Sequence, residues 1–200
     1  MGIILLDIGN VIVSVDFEPF CRAVARDGNA GADEIRRRYC DSDLKDGHDR
    51  GLVASGDFLR KLADDPATVD RPLSFFRSAW QRIFSPLQGS ADGIRQLRDR
   101  HQIWIMSDTD PLHFAYLIDS YPVMREADRY LLSYEHGFLK RQPEAFRHVL
   151  DSSGLDPEQF TLVDDRQVNV DVCRSFGMNA ILFESWAGVL ASPILSDRRP

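Results

Sequence analysis

Three apolar runs in this chain end in carboxylates. Residues Ile3-Ile4-Leu5-Leu6 run into Asp7-Ile8-Gly9-Asn10, Gln102-Ile103-Trp104-Ile105-Met106-Ser107 into Asp108-Thr109-Asp110, and Phe160-Thr161-Leu162-Val163 into Asp164-Asp165-Arg166. If these runs are neighbouring strands, their acidic ends share one crevice. Anions crowded within a few ångströms repel and drive one another to protonate unless a cation neutralises them. Oxygen donors such as Asp7, Asp165 and a backbone carbonyl suit hard Mg²⁺, which keeps one or two carboxylates and completes its octahedron with water and substrate phosphate. The residues therefore point to phosphate chemistry.

Each stretch has a plainer reading. Gly9-Asn10 suits the two-residue turn of a hairpin joining residues 3–8 to residues 11–15. Asp164-Asp165 suits the cap of a helix starting near Gln167. Ser107 alone says almost nothing. Lys140, in Gly137-Phe138-Leu139-Lys140-Arg141-Gln142-Pro143, reads by default as a solvated loop lysine before a helix. Only the combination and order of these stretches shift the balance.

Elements must hold these residues in place. Short continuous apolar runs at 3–7, 102–107, 160–164 and 179–183, with a weaker one at 130–133, mark strands buried on both faces. Helical spacing of apolar residues fills 90–100, 111–120, 143–153 and 167–176, several starting at Ser, Asp or Pro. This alternation implies an α/β fold, a Rossmann-like doubly wound parallel sheet. Residues 16–89 break the pattern: they are charged, poor in β runs and helical at 17–27, 31–40, 55–64 and 72–84. The expected organisation is a core of residues 1–15 and 90–200 with a small inserted helical cap at 16–89, hinged near 14–16 and 85–90.

The motifs, taken together, resemble the haloacid dehalogenase (HAD) superfamily of aspartate-nucleophile hydrolases. Ile3 to Val11 matches an apolar strand ending in the key Asp; Ile103 to Ser107 matches a strand ending in Ser or Thr. Lys140-Arg141-Gln142-Pro143-Glu144-Ala145-Phe146 resembles a Lys followed by Pro-Asp-Pro and an aromatic, with Arg141 and Gln142 as departures. Thr161 to Asn169 matches an apolar strand followed by Asp-Asp-x-x-x-Asn. The insert would then be the family's small helical cap of the first type. Asp-x-Gly-Asn-Val, Val15-Asp16-Phe17 and the stretch from Leu132-Ser133 to Lys140 look most like bacterial phosphatases that hydrolyse α-glucose 1-phosphate.

The resemblance implies a Mg²⁺-dependent phosphatase for a small phosphorylated metabolite, such as a sugar 1-phosphate. Asp7 is the implied nucleophile, forming an aspartyl-phosphate. The metal would be held by Asp7, the Gly9 carbonyl and Asp165, with Asp164 acting through water. Ser107 and Lys140 would bind the phosphate, and Asn169 would orient Lys140 and the metal's surroundings. Gly9 departs from the family, because most of its phosphatases carry a general acid there, worth about 10²- to 10⁴-fold. An anomeric phosphate, whose leaving oxygen is less basic, depends less on that proton. Asp108, beside Ser107, is either a replacement acid, protonated by crowding, or a surface residue starting the next loop.

In the cap, His48 and Arg50 are the substrate-contact candidates. Arg36-Arg37-Arg38 reads as a solvated run, and Phe75, Phe76 and Trp80 as cap core. With 24 Lys and Arg against 31 Asp and Glu the formal charge is −7, which gives the chain no overall attraction for nucleic acid or an anionic membrane. The three cysteines form neither a CxxC pair nor a zinc-type spacing with the histidines. No stretch approaches the ~20 apolar residues of a membrane span, so the expectation is a soluble cytoplasmic enzyme. The competing reading, resting on Gly9 and Asp108, is a non-catalytic HAD-fold protein that binds a phosphometabolite or a protein.

Overall fold

A computed structural model describes residues 2–196. In chain order it contains β1 (Gly2–Leu6), β2 (Val13–Val15), helices α1 (Glu18–Val24), α2 (Asn29–Ile35), α3 (Asp43–Asp49), α4 (Ser55–Ala63) and α5 (Leu73–Gln81), then β3 (Phe84–Pro86) and α6 (Ser90–Arg98). There follow β4 (His101–Ser107), α7 (Pro111–Ser120), β5 (Arg129–Leu132), α8 (Ser133–His136), α9 (Pro143–Ser153), β6 (Phe160–Asp164), α10 (Gln167–Ser175), β7 (Asn179–Leu182), α11 (Trp186–Leu190) and α12 (Pro193–Ser196).

The main sheet has the order β5-β4-β1-β6-β7, parallel throughout. Every residue of β1 is buried, and the alternation of its side chains explains why it reads as one unbroken apolar run. Ile4 and Leu6 join Ile94, Leu97, Leu117 and Trp186 on one face. Ile3 and Leu5 join Phe146, Val149, Val170 and Cys173 on the other. Chain order reverses at β1, which makes its carboxyl end the switch point where open α/β sheets bind ligands.

The hairpin reading of residues 3–15 is overturned. β2 pairs antiparallel not with β1 but with β3, Val13 opposite Pro86 and Val15 opposite Phe84. This pairing also ends the expected helix 72–84 at Gln81. Between the two strands lie five helices with an apolar core of their own, including Phe20, Ile35, Phe58, Phe76 and Trp80. The expected helix 31–40 is α2 continuing as a π-helical turn, Arg36–Cys40. α3 was not legible: Asp43–Asp49 has Gly47 and almost no apolar residues, and it starts on a Ser42 side chain that accepts the Lys45 amide. Arg36 and Arg38 are occupied on the surface of the insert, by Asp41 and by Glu34 and Asp65.

Candidate active site

β1 delivers Asp7 to the switch point, where its amide donates to the Val163 carbonyl at 3.0 Å. The side chain is nearly buried. Its Oδ1 accepts the Ile8 amide at 2.7 Å and lies 2.6 Å from Lys140 Nζ. The same ammonium donates to Asp164 Oδ2 at 2.6 Å. Lys140 is therefore no solvated loop residue: it is 2% exposed, and its amide donates to Asp108 Oδ1 at 2.8 Å.

Asp164 ends β6 with both oxygens occupied. Asn169 Nδ2, one turn into α10, donates to Oδ1 at 3.0 Å and Oδ2 at 3.2 Å, and the Arg166 amide donates to Oδ1 at 2.9 Å. α10 has Arg166 at its N-cap position with no side-chain cap, so the helix-capping role considered for these carboxylates is not the one they fill. Asp165 is half-buried, and its Oδ2 accepts from Asn10 Nδ2 at 2.9 Å. Sequence reasoning put Asn10 in a hairpin turn and gave it no part in the site. Its backbone is left-handed (φ 55°), a conformation Asn tolerates, and its Oδ1 accepts the Val15 amide at 3.2 Å. The signal was present in a Gly-Asn pair directly after a strand.

One oxygen each from Asp7, Asp164 and Asp165 lies within 4.8 Å of the others. Three carboxylates against one ammonium leave the cluster short of positive charge. Burial pushes the Asp7 carboxyl up to about 7; Lys140 works against that rise, while Asp164 and Asp165 add to it. Burial would also raise Asp164, but Lys140, the Arg166 amide and Asn169 hold it below the usual range. Lys140 resists its own desolvation because Asp164, Asp7 and Asp108 surround it, and its titration moves up. This all-oxygen donor set, lacking compensating charge, fits a hard divalent cation.

A cavity of about 340 Å³ opens beside the cluster. Its core wall includes Gly9, Ser107, Asp108, Thr109 and Arg166; its other wall is Phe17, Lys45, Asp46 and Asp49 from the insert. Ser107 is the buried last residue of β4. Gly9 has no positive φ, and a Cβ there would meet only Val15 Cγ2, at 3.3 Å. Asp108 is half-buried; burial raises its carboxyl while Lys140 opposes the rise. A larger, more open groove of about 740 Å³, lined by Arg38, Asp57 and Lys61 among others, takes all its residues from the insert and contains none of these groups.

The cap candidates fall elsewhere. His48 is fully buried, stacked on Phe58 at 4.4 Å with its Nε2 3.2 Å from Ser55 Oγ. Arg50 donates through Nε to the Gly137 carbonyl at 2.8 Å and so ties the insert to the loop carrying Lys140. Neither is part of the cavity wall; α3 instead presents Lys45, Asp46 and Asp49, which sequence reasoning passed over with the helix itself. Behind them Asp110 accepts from Trp80 Nε1 at 3.0 Å and lies 2.8 Å from His113 Nδ1, a buried link between insert and core.

A family model for haloacid dehalogenase-like hydrolases matches residues 1–177. A D-ribitol-5-phosphate phosphatase of Bacteroides thetaiotaomicron is 25% identical over 193 residues, 92% of each chain. Among solved structures, a HAD family enzyme of the same organism, in complex with magnesium and inorganic phosphate, superposes with a TM-score of 0.81 at 20% identity, covering 94% of this chain and 98% of that one. The L-2-haloacid dehalogenase of Xanthobacter autotrophicus gives 0.64 at 16% identity, covering 98% and 86%. The narrower likeness to α-glucose-1-phosphate phosphatases finds no support among these relatives.

Proposed function

The chain belongs to the haloacid dehalogenase-like hydrolases, and from that premise we propose that it is a Mg²⁺-dependent phosphatase of a small phosphorylated sugar or sugar alcohol. The observation that carries the reading is Lys140 Nζ held 2.6 Å from both Asp7 and Asp164, beside Asp165. Asp7 attacks phosphorus; its oxygen forms the new bond as the ester oxygen departs, and water later hydrolyses the aspartyl-phosphate. Lys140 pulls Asp7 toward the ionised form that attacks and offsets charge on the transferring group. Ser107, at the cavity wall, donates to a phosphate oxygen. Asn169 fixes the Asp164 carboxylate. Asp7, the Gly9 carbonyl and Asp165, with Asp164 through water, would hold Mg²⁺, which supplies Lewis-acid withdrawal of charge from the phosphoryl oxygens.

Residues 16–89 act as the substrate-selecting cap in this reading, since they furnish the cavity wall opposite Ser107. The relative that acts on ribitol 5-phosphate supports a polyol or sugar phosphate; a sugar 1-phosphate remains part of the proposal because Gly9 brings no acid. Among the described residues no helix is long and apolar enough to cross a membrane; a cytoplasmic enzyme acting on such metabolites is part of the same proposal.

Phosphate release from sugar 1-phosphates, ribitol 5-phosphate, nucleotides and p-nitrophenyl phosphate tests the reading. Release should require Mg²⁺, stop with chelator, and vanish in Asp7→Asn. A protein that binds such compounds but releases no phosphate under any of these conditions would be the non-catalytic alternative.

A further inference from the structure

The three carboxylates of the cluster are not held alike. Asp7 is fixed by the Ile8 amide and Lys140, and Asp164 by Asn169, the Arg166 amide and Lys140. Among the described residues Asp165 has a single hydrogen bond, the 2.9 Å donation from Asn10 Nδ2 to its Oδ2, and neither an ion pair nor a backbone amide. The terminal torsion of an Asp side chain is broad. The direction in which Asp165 presents its oxygens is therefore set by that one bond.

Asn10 is itself anchored. Its amide donates to the Val13 carbonyl at 2.6 Å, and the Ile12 and Val13 amides donate back to the Ile8 carbonyl at 2.9 and 3.1 Å, which closes the turn around it. Its Oδ1 accepts the Val15 amide at 3.2 Å. The two ends of the side-chain amide cannot exchange, because the NH₂ serves only an acceptor such as Asp165 and the oxygen only a donor such as the Val15 N–H. Val15 closes β2 opposite Phe84 of β3, and both line the cavity. The next residue, Asp16, donates across the ribbon to the Ile83 carbonyl at 2.8 Å. Amides along a strand alternate in direction, so the Val15 amide points away from β3 and toward Asn10.

We infer that Asn10 is a positioning residue that sets Asp165 for Mg²⁺ and links that ligand to the ribbon from which residues 16–89 depart. The inference rests on the Mg²⁺ site of the phosphatase reading and adds a residue to it. Partners that orient a metal-bound side chain typically control metal affinity by about 10- to 100-fold. The link acts in both directions: Mg²⁺ on Asp165 orders the Asn10 side chain and with it the Val15 amide, and a loosened ribbon weakens Mg²⁺.

The test titrates Mg²⁺ alone, with no substrate, into the wild type and Asn10→Gly by calorimetry. Glycine accepts the left-handed backbone of position 10 (φ 55°), so the variant removes the side chain and keeps the turn. The Kd for Mg²⁺ should rise by about tenfold or more, and the Mg²⁺ concentration for half-maximal hydrolysis of p-nitrophenyl phosphate should rise with it. A folded variant with unchanged Mg²⁺ Kd overturns the inference. So does a lower kcat with no movement of the Mg²⁺ midpoint, the pattern of a residue needed only for the turn. A second measurement needs no variant: hydrogen exchange at the Val15 amide of the wild type should slow by about fivefold or more when Mg²⁺ is added. Exchange that ignores bound Mg²⁺ overturns the link to the ribbon, even if Asn10→Gly fails to fold. If the wild type binds no Mg²⁺, the metal site of the phosphatase reading fails and takes this inference with it.

Discussion

Lys140 is the residue on which the acidic cluster depends. Removing one partner of a buried ion pair leaves uncompensated charge and typically destabilises by about 3–5 kcal/mol. Lys140→Met should lose that much stability at neutral pH without divalent cation, as read by denaturant unfolding, and Mg²⁺ should restore part of it; an unchanged midpoint would remove Lys140 from this role. Asp108 separates positioning from proton donation. Its Oδ1 accepts the Lys140 amide, a bond that Asn can keep and Ala cannot. Turnover of Asp108→Asn within about threefold of wild type, and a loss of about tenfold or more in Asp108→Ala, is the expected pattern; an equally severe loss in the Asn variant would make Asp108 the missing acid. That Asp7, Ser107 and the Asp164-Asp165 pair gather at one edge of the sheet was legible because each closes an apolar run, whereas Lys140 joined them only through the family resemblance. His48 and Arg50 were misread. Polar letters between helices looked exposed, whereas His48 is packed on Phe58 and Arg50 is spent on a carbonyl.

At the level of elements, every strand of the main sheet was legible, since strands buried on both faces announce themselves as continuous apolar runs. The ribbon of β2 and β3 was not, because three-residue strands carry too little pattern and their pairing is set by tertiary context. α3 escaped for the opposite reason: it is held by a cap and by contacts at its end, not by an apolar stripe. The short helix α8 has a titratable end. His136 Nδ1 accepts the Phe138 amide at 3.3 Å, which requires that nitrogen unprotonated, and burial together with His148 lowers the ring from 6.5 to about 4. Between those values the unfolded chain binds more protons than the folded one, so stability is fully present above pH 6.5 and declines as pH falls toward 4. Unfolding midpoints across this window should decline less steeply in His136→Gln. His48, also lowered by burial, contributes in the same sense, so the slope should shrink rather than vanish. No difference between the two proteins would clear His136 of the effect.

For the whole molecule, the decisive contact is where insert and core meet. Gly51 follows α3 with φ at 69°, and a Cβ there would collide with the Tyr134 carbonyl oxygen. Backbone cannot yield as a side-chain tip can. Arg50 to Gly137, Ser133 to Asp49 and Trp80 to Asp110 join the two parts around that point. Gly51→Ala should therefore hold the insert off the core. It should lower kcat/KM by about tenfold or more on every phosphate ester while the separate cores stay folded, which circular dichroism would show; full activity would mean that this approach is not needed. How residues 16–89 seat against the sheet was not legible, because close backbone approach leaves only a glycine as its trace. The ribbon β2–β3 has its own implication for descent. Its strands lie side by side, so the chain departs and returns at one place on the core. Lengthening a loop whose ends are already joined adds only about 0.6 kcal/mol per doubling. A lineage can therefore acquire, enlarge or exchange the whole helical segment as a single cassette in a hairpin without disturbing the register of the sheet that holds Asp7, so new substrate ranges can arise with the reaction left intact.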